Sequence, residues 1–313
     1  MKKIYVLCTI ILVLICHTDF NAQHTNFNSQ SNWSLNKKEL QIGFGTTQFN
    51  GDLGGSNTIG KDYSTKDIDW PSTGIAGWLG YRLRFHPYFA TTTSLCVFNL
   101  KGNDKYSQEA VRNARNLHFR SLNVEIQQRL EFIFYARERF SVGRNLTRHR
   151  GKRMLNEQYY IFSGLGLVYF NSQAEFKDGT WMNLRPMKTE GQSKAYSPVT
   201  MTVPFGFGFR TGIGGSYRIG IEVSYVKTFS DYLDDVSTVY ADPNSFDSQT
   251  AAYFSNPAVG NPWFAPGYQR GDSKQKDAYY HLNLILSKNL TYKKYGRKSY
   301  KYRSVTHHRR YKV

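Results

Sequence analysis

Apolar and polar side chains alternate along most of residues 38–290. The clearest stretch sets Leu122, Val124, Ile126, Leu130, Phe132 and Phe134 against Asn123, Glu125, Gln127, Arg129 and Glu131. That period of two belongs to a strand whose faces meet different surroundings. It predicts further strands over 39–49, 75–85, 89–100, 159–170, 199–213, 217–228 and 279–290. In 39–49, Leu40, Ile42 and Phe44 oppose Glu39, Gln41, Gly43, Gly45 and Thr47. In 75–85, Ile75, Leu79, Tyr81, Leu83 and Phe85 oppose Trp78, Arg82 and Arg84. The facing of 159–170 stays open, because Gly164 and Gly166 break the contrast. His86-Pro87-Tyr88 and Gly214-Gly215-Ser216 read as tight turns, and 50–72, 101–116, 171–198 and 229–278 as long polar joins. Pro243, Pro257, Pro262 and Pro266 argue against further ladder strands in the last join.

An even set of strands close to the ~9–11 residues that a tilted membrane strand needs predicts an all-β fold. The expected architecture is a transmembrane antiparallel up-and-down β-barrel of about eight strands over residues 38–290. A soluble β-sandwich shares the alternation and is the other fold reading. In the barrel register, Arg82, Arg84, Glu125, Arg129, Glu131, Arg210, Arg218 and Glu222 face inward. An eight-stranded barrel has room inside only for side chains. These charges are therefore expected to pair and plug the lumen rather than to do chemistry. His118 and His281 stand alone on strands, His307-His308 lie in the tail, and no Ser or Cys string suggests an activated nucleophile. The expectation is a protein that is not an enzyme and needs no cofactor.

The ends set the compartment. Residues 1–22 run from Lys2 and Lys3 through the apolar Ile4–Cys16 stretch to a polar segment ending at Ala22. That is the order of a signal peptide, too short to span as a helix, with cleavage expected near Ala22–Gln23. Lipidation at Cys16 is the other possibility, opposed by bulky Ile15 in front of it. Cleavage leaves Cys96 alone, so no intramolecular disulfide is expected. Residues 23–37 then form an N-terminal periplasmic segment and 291–313 a basic tail. The 23 Tyr and 21 Phe, against a mean hydropathy of −0.54, suit a barrel with aromatic girdles at both membrane interfaces.

Short turns after the second and sixth strands place both termini in the periplasm and the long joins outside. Most of the chain's formal net charge of +18 then lies on the periplasmic side. The join 136–158 carries Arg144, Arg148, Arg150, Lys152 and Arg153, and the tail carries Lys293, Lys294, Arg297, Lys298, Arg309 and Arg310. These are the candidate contacts to a periplasmic protein, where charge would raise the association rate. A solvated tail over anionic lipid is the other reading, and the leader argues against nucleic acid. The last join is acidic. Its Asp231, Asp234 and Asp235 are the candidate Ca²⁺ ligands, with Asp52 within reach, although no regular Asp-x-Asp-x-Asp-Gly loop is present. Otherwise Asp231 and Ser230 satisfy turn amides, and Asp234 pairs with Arg270 or solvent.

Four strings stand out beyond the alternation: Asn50-Gly51-Asp52-Leu53-Gly54, the run Gly164 to Asn171, Thr189-Glu190-Gly191-Gln192, and the run Thr228 to Ser237. Together and in this order, over residues 38–290, they resemble the PorG-like outer-membrane barrels of the type IX secretion system. The resemblance implies a non-enzymatic component of a protein-export machine in the outer membrane. Its partners would be membrane lipids and a periplasmic ring of a lipoprotein and a partner protein. A small diffusion porin is the alternative from a different functional class.

Overall fold

The computed structural model describes residues 33, 36–54, 70–107, 109–137, 157–214, 216–258 and 260–291. Among the described residues ten strands follow one another: β1 (Lys38–Asn50), β2 (Gly74–Arg84), β3 (Phe89–Asn103), β4 (His118–Arg137), β5 (Glu157–Tyr169), β6 (Ser172–Glu175), β7 (Trp181–Asn183), β8 (Val199–Gly214), β9 (Tyr217–Thr228) and β10 (Ala278–Asn289). The eight long ones pair antiparallel in the circular order β1-β2-β3-β4-β5-β8-β9-β10. The ring closes where β10 meets β1, with Glu39 opposite Asn289 and Asn50 opposite Ala278. Closure satisfies every edge, the condition for backbone to cross a bilayer as sheet. The fold is a closed eight-stranded antiparallel barrel of the outer-membrane type.

The short β6–β7 hairpin was not expected from the sequence. It continues the sheet off β4, with Arg120 opposite Gln173. Its strands, of four and three residues, are too short for a period of two to register. Two short helices, α1 (Ala110–Arg115) and α2 (Gln249–Ser255), sit in the second and fourth long joins.

Alternation divides the barrel wall cleanly. Phe44 is 64 % exposed, Leu165 58 % and Phe205 58 %, while Arg82, Glu125 and Glu131 are fully buried. A polar interior under an apolar outer surface inverts a soluble protein and fits a wall solvated by lipid. The outward run from Leu122 to Phe134 on β4 spans ~30 Å along the barrel axis at the usual rise and tilt, about one hydrocarbon core. β5 resolves the same way, with Tyr160, Phe162 and Val168 inside and Ile161, Leu165 and Leu167 outside.

A bulge between Ile133 and Tyr135 turns both Phe134 and Tyr135 outward at the short-turn end. They join Tyr159, Phe207 and Phe209 in a run of ring contacts 4.8–6.4 Å apart. Phe85, Phe89 and Phe132 extend this aromatic girdle round the wall.

The signal-peptide region, the join 138–156 and the tail after residue 291 fall outside the described residues. Arg144, Arg148, Arg150, Lys152, Arg153, Lys293, Lys294, Arg297, Lys298, Arg309 and Arg310 fall there with them.

Candidate functional site

Inside the short-turn half lies a layer of ion pairs. Glu39 Oε2 meets Arg82 Nη1 at 3.4 Å and Arg210 Nη1 at 3.0 Å, and its Oε1 meets Arg218 Nη1 at 3.2 Å. Glu131 Oε2 takes Arg82 Nε at 2.7 Å and Arg210 Nη2 at 3.2 Å. Glu222 takes Arg129 at 2.9 Å and the Tyr160 hydroxyl. The guanidiniums also lie on aromatic faces, Arg129 4.2 Å from the Phe162 ring centre and Arg210 4.1 Å from that of Tyr160. Arg84 donates to the Pro87 carbonyl at 2.6 Å, tying the layer to the β2–β3 turn.

Two particulars differ from the sequence reading. Glu125 forms no ion pair among the described residues and instead accepts from Thr202 Oγ1 at 2.6 Å, because it sits four residues along β4 from Arg129, toward the long joins. Glu39, absent from the interior set, is the hub of three arginines. Its place opposite Leu40 and Ile42 in the alternation was the available signal.

Interior glycines make this filling possible. A side chain at Gly208 would run into the Tyr160 ring, and one at Gly206 into that of Phe162. Above the ionic layer Phe49, Trp78, Cys96, Phe98, Phe119, Phe170, Val226, Tyr279 and Ile285 form an apolar core. The core continues into the long joins through Leu53, Leu117, Leu233 and Val236. The lumen is a packed interior along this whole stretch.

The four sequence strings meet on top of it. Leu53 N donates to Asp234 Oδ2 at 3.0 Å, and Gly54 N to Asp104 Oδ1 at 3.2 Å. Arg115, presented by α1, binds Asp104 with Nε at 2.7 Å and with Nη2 at 2.9 Å. It also donates to the carbonyls of Arg270 and Asp52, both at 2.8 Å. One guanidinium thus ties the first, second and fourth joins together. Glu190 accepts from Ser237 N (2.8 Å), Thr238 Oγ1 (2.7 Å) and Arg270 Nη1 (3.0 Å). Thr189 Oγ1 donates to Asp235 at 2.5 Å and Tyr196 OH to the same carboxylate at 2.8 Å. Phe170, Tyr196 and Tyr232 stack face to face beside them. The third and fourth joins are thereby stitched into one cap.

The candidate metal ligands are taken up by hydrogen bonds. Asp231 accepts from Ser237 Oγ at 2.6 Å, Asp235 is held as above, and both oxygens of Asp234 take backbone amides, from Leu53 and Val236. Among the described residues no group of three His, Cys, Asp or Glu is placed to hold a metal ion. The expected pairing of Asp234 with Arg270 is replaced by Arg270 with Glu190 at 3.0 Å and Asp235 at 4.0 Å. Ser230 does satisfy a turn amide, that of Tyr232. Asp52 does approach this region, accepting from Asp272 N at 2.8 Å.

Burial inside the cap pushes its carboxyls up: Asp52 and Asp235 to about 6, Asp231 to about 7, and Asp234 and Asp277 well above the ordinary range. Neighbouring carboxylates add to the desolvation for Asp234 and Asp277. Asp104 and Arg115 were not foreseen as site residues, since they sit in joins with no period to read, and Arg270 was foreseen only as a partner of Asp234.

By sequence, no curated protein matches the chain. Among solved structures it is similar to Neisserial surface protein A, at 6% identity and a TM-score of 0.36, over 80% of this chain and 96% of that one. It is also similar to Ail, the attachment invasion locus protein of Yersinia pestis, at 10% identity and a TM-score of 0.30, over 80% and 97%. A family model described as a domain of unknown function, DUF6089, matches residues 38–248, which is more than half the chain. The protein belongs to the DUF6089 family.

Proposed function

We propose that this protein is a non-enzymatic outer-membrane component of a type IX protein secretion machine, one that anchors a periplasmic ring of lipoprotein and partner protein. The signal-peptide pattern of residues 1–22 and the lipid-facing wall support an outer-membrane location, with both termini in the periplasm. The observation that carries the reading is that the four strings resembling PorG-like barrels all end in the one cap, above a lumen packed with side chains. Such a barrel offers a fixed membrane anchor and two contrasting ends rather than a path for solutes. The periplasmic end would present the basic join 136–158 and the tail, suited to acidic surfaces of a partner.

The test is purification of the tagged full-length protein in mild detergent, with co-purifying proteins identified by mass spectrometry. Recovery of a periplasmic lipoprotein with a ring partner is expected, reduced when residues 292–313 are deleted. Recovery of the barrel alone would overturn the proposal.

A further inference from the structure

On the outer wall, where the lipid-facing strip of β3 and β4 ends, two cations stand side by side. Lys101 and Arg120 are directly opposite each other in the β3–β4 ladder, and both are exposed. The pair below them in the same column is Asn99 and Leu122, where the apolar run begins. One outward step along a tilted strand raises Lys101 and Arg120 by ~5 Å, from the edge of the hydrocarbon into the headgroup layer. Like charges directly opposite on one face of a sheet destabilise it. Among the described residues no carboxylate forms an ion pair with either.

Arg120 is nevertheless held in position. Its guanidinium lies 3.7 Å from the ring centre of Trp181, and its Nε donates to Gln173 Oε1 at 3.3 Å. Trp181 is braced edge-on by His118, 6.1 Å between ring centres. The β6–β7 hairpin thus supplies an aromatic plate and an amide that fix one cation beside the other. The nearest outward acid on that hairpin, Glu175, lies one step further from the lipid, its amide donating to His118 Nε2 at 3.0 Å.

We propose that Lys101 and Arg120, braced by Trp181, bind the phosphate of a phosphorylated glycolipid in the outer leaflet. A planar guanidinium with several donors and a mobile ammonium together match a phosphate group, and Trp favours the boundary between hydrocarbon and water. A lipid is the source because the site opens sideways at headgroup height rather than upward into solvent. The inference rests on the proposed orientation, with the long joins outside.

The test uses the full-length protein in detergent micelles with diphosphoryl lipid A as probe, beside its dephosphorylated form and inorganic phosphate. Wild type is expected to bind the diphosphoryl lipid, and K101Q/R120Q to bind it about tenfold or more weakly. Heat-modifiable gel mobility should report an intact barrel in both. Equal binding by the double variant, or equal binding of the dephosphorylated lipid, overturns the proposal. Competition by inorganic phosphate at matched concentration overturns the lipid assignment. Asp178→Cys, in the exposed hairpin turn, separates this from orientation. Labelling on intact cells by an impermeant maleimide, with lipid binding unchanged in K101Q/R120Q, sinks the inference alone. Labelling only after permeabilisation sinks the orientation and the inference with it.

Discussion

Glu39 shows how much one buried carboxylate can hold. It pairs with Arg82, Arg210 and Arg218 together, so Glu39→Gln would leave these three guanidiniums around a neutral amide, with Glu131 still paired to Arg82 and Arg210. Breaking a buried ion pair from one side costs roughly 3–5 kcal/mol. The variant should accordingly unfold at markedly lower urea in detergent, and an unchanged midpoint would refute the hub. Gly208→Ala tests the aromatic filling. Its methyl would strike the Tyr160 ring, with an overpacking penalty of roughly 1–3 kcal/mol read in the same unfolding experiment. That Glu39 points inward was legible from its alternation with Leu40 and Ile42. That three arginines from β2, β8 and β9 converge on it was not, because a period of two gives the face of a side chain but not the stagger that aligns strands across a barrel.

The joins behave differently from the strands they connect. The eight barrel strands were legible because their environment repeats every two residues, with only the facing of β5 left open, whereas the cap is built from single contacts between distant segments, such as Arg115 to Asp52 and Arg270 to Glu190. No local pattern encodes those. Arg115→Ala should loosen the first, second and fourth joins by about 3 kcal/mol of local stability, giving amide exchange faster by on the order of a hundredfold there. The β4 and β10 amides should be unaffected. The cap should also respond to pH. Asp52, Asp231 and Asp235 titrate in the folded cap near 6 to 7, above an unfolded value of about 3.9. A raised acid pKa means that the folded cap binds protons more tightly than the unfolded one. The stability is therefore complete below about pH 4 and is lost as pH rises through 6 to 7. Protease nicking of the joins should be slower at pH 5 than at pH 8, and the reverse order would refute the buried-carboxyl account.

Taken as a complete barrel, the molecule has an ionic layer, an apolar core and a polar cap stacked along one axis, with lipid-facing side chains around all but the ends. Planar-bilayer recordings should accordingly show no steady open-state conductance, and regular channel-like steps would revive the porin reading. The circular order also bears on how the chain reaches its membrane. β1 finds its second partner only in β10, so the seam joins the first strand to the last. Glu39 near the start of the chain gains Arg210 and Arg218 only when β8 and β9 have arrived. A partly assembled sheet would expose two raw edges and drag unneutralised guanidiniums toward hydrocarbon. Sealing the seam and discharging the interior are therefore a single event, which makes assembly all-or-none and dependent on the entire strand set having left the ribosome before insertion begins.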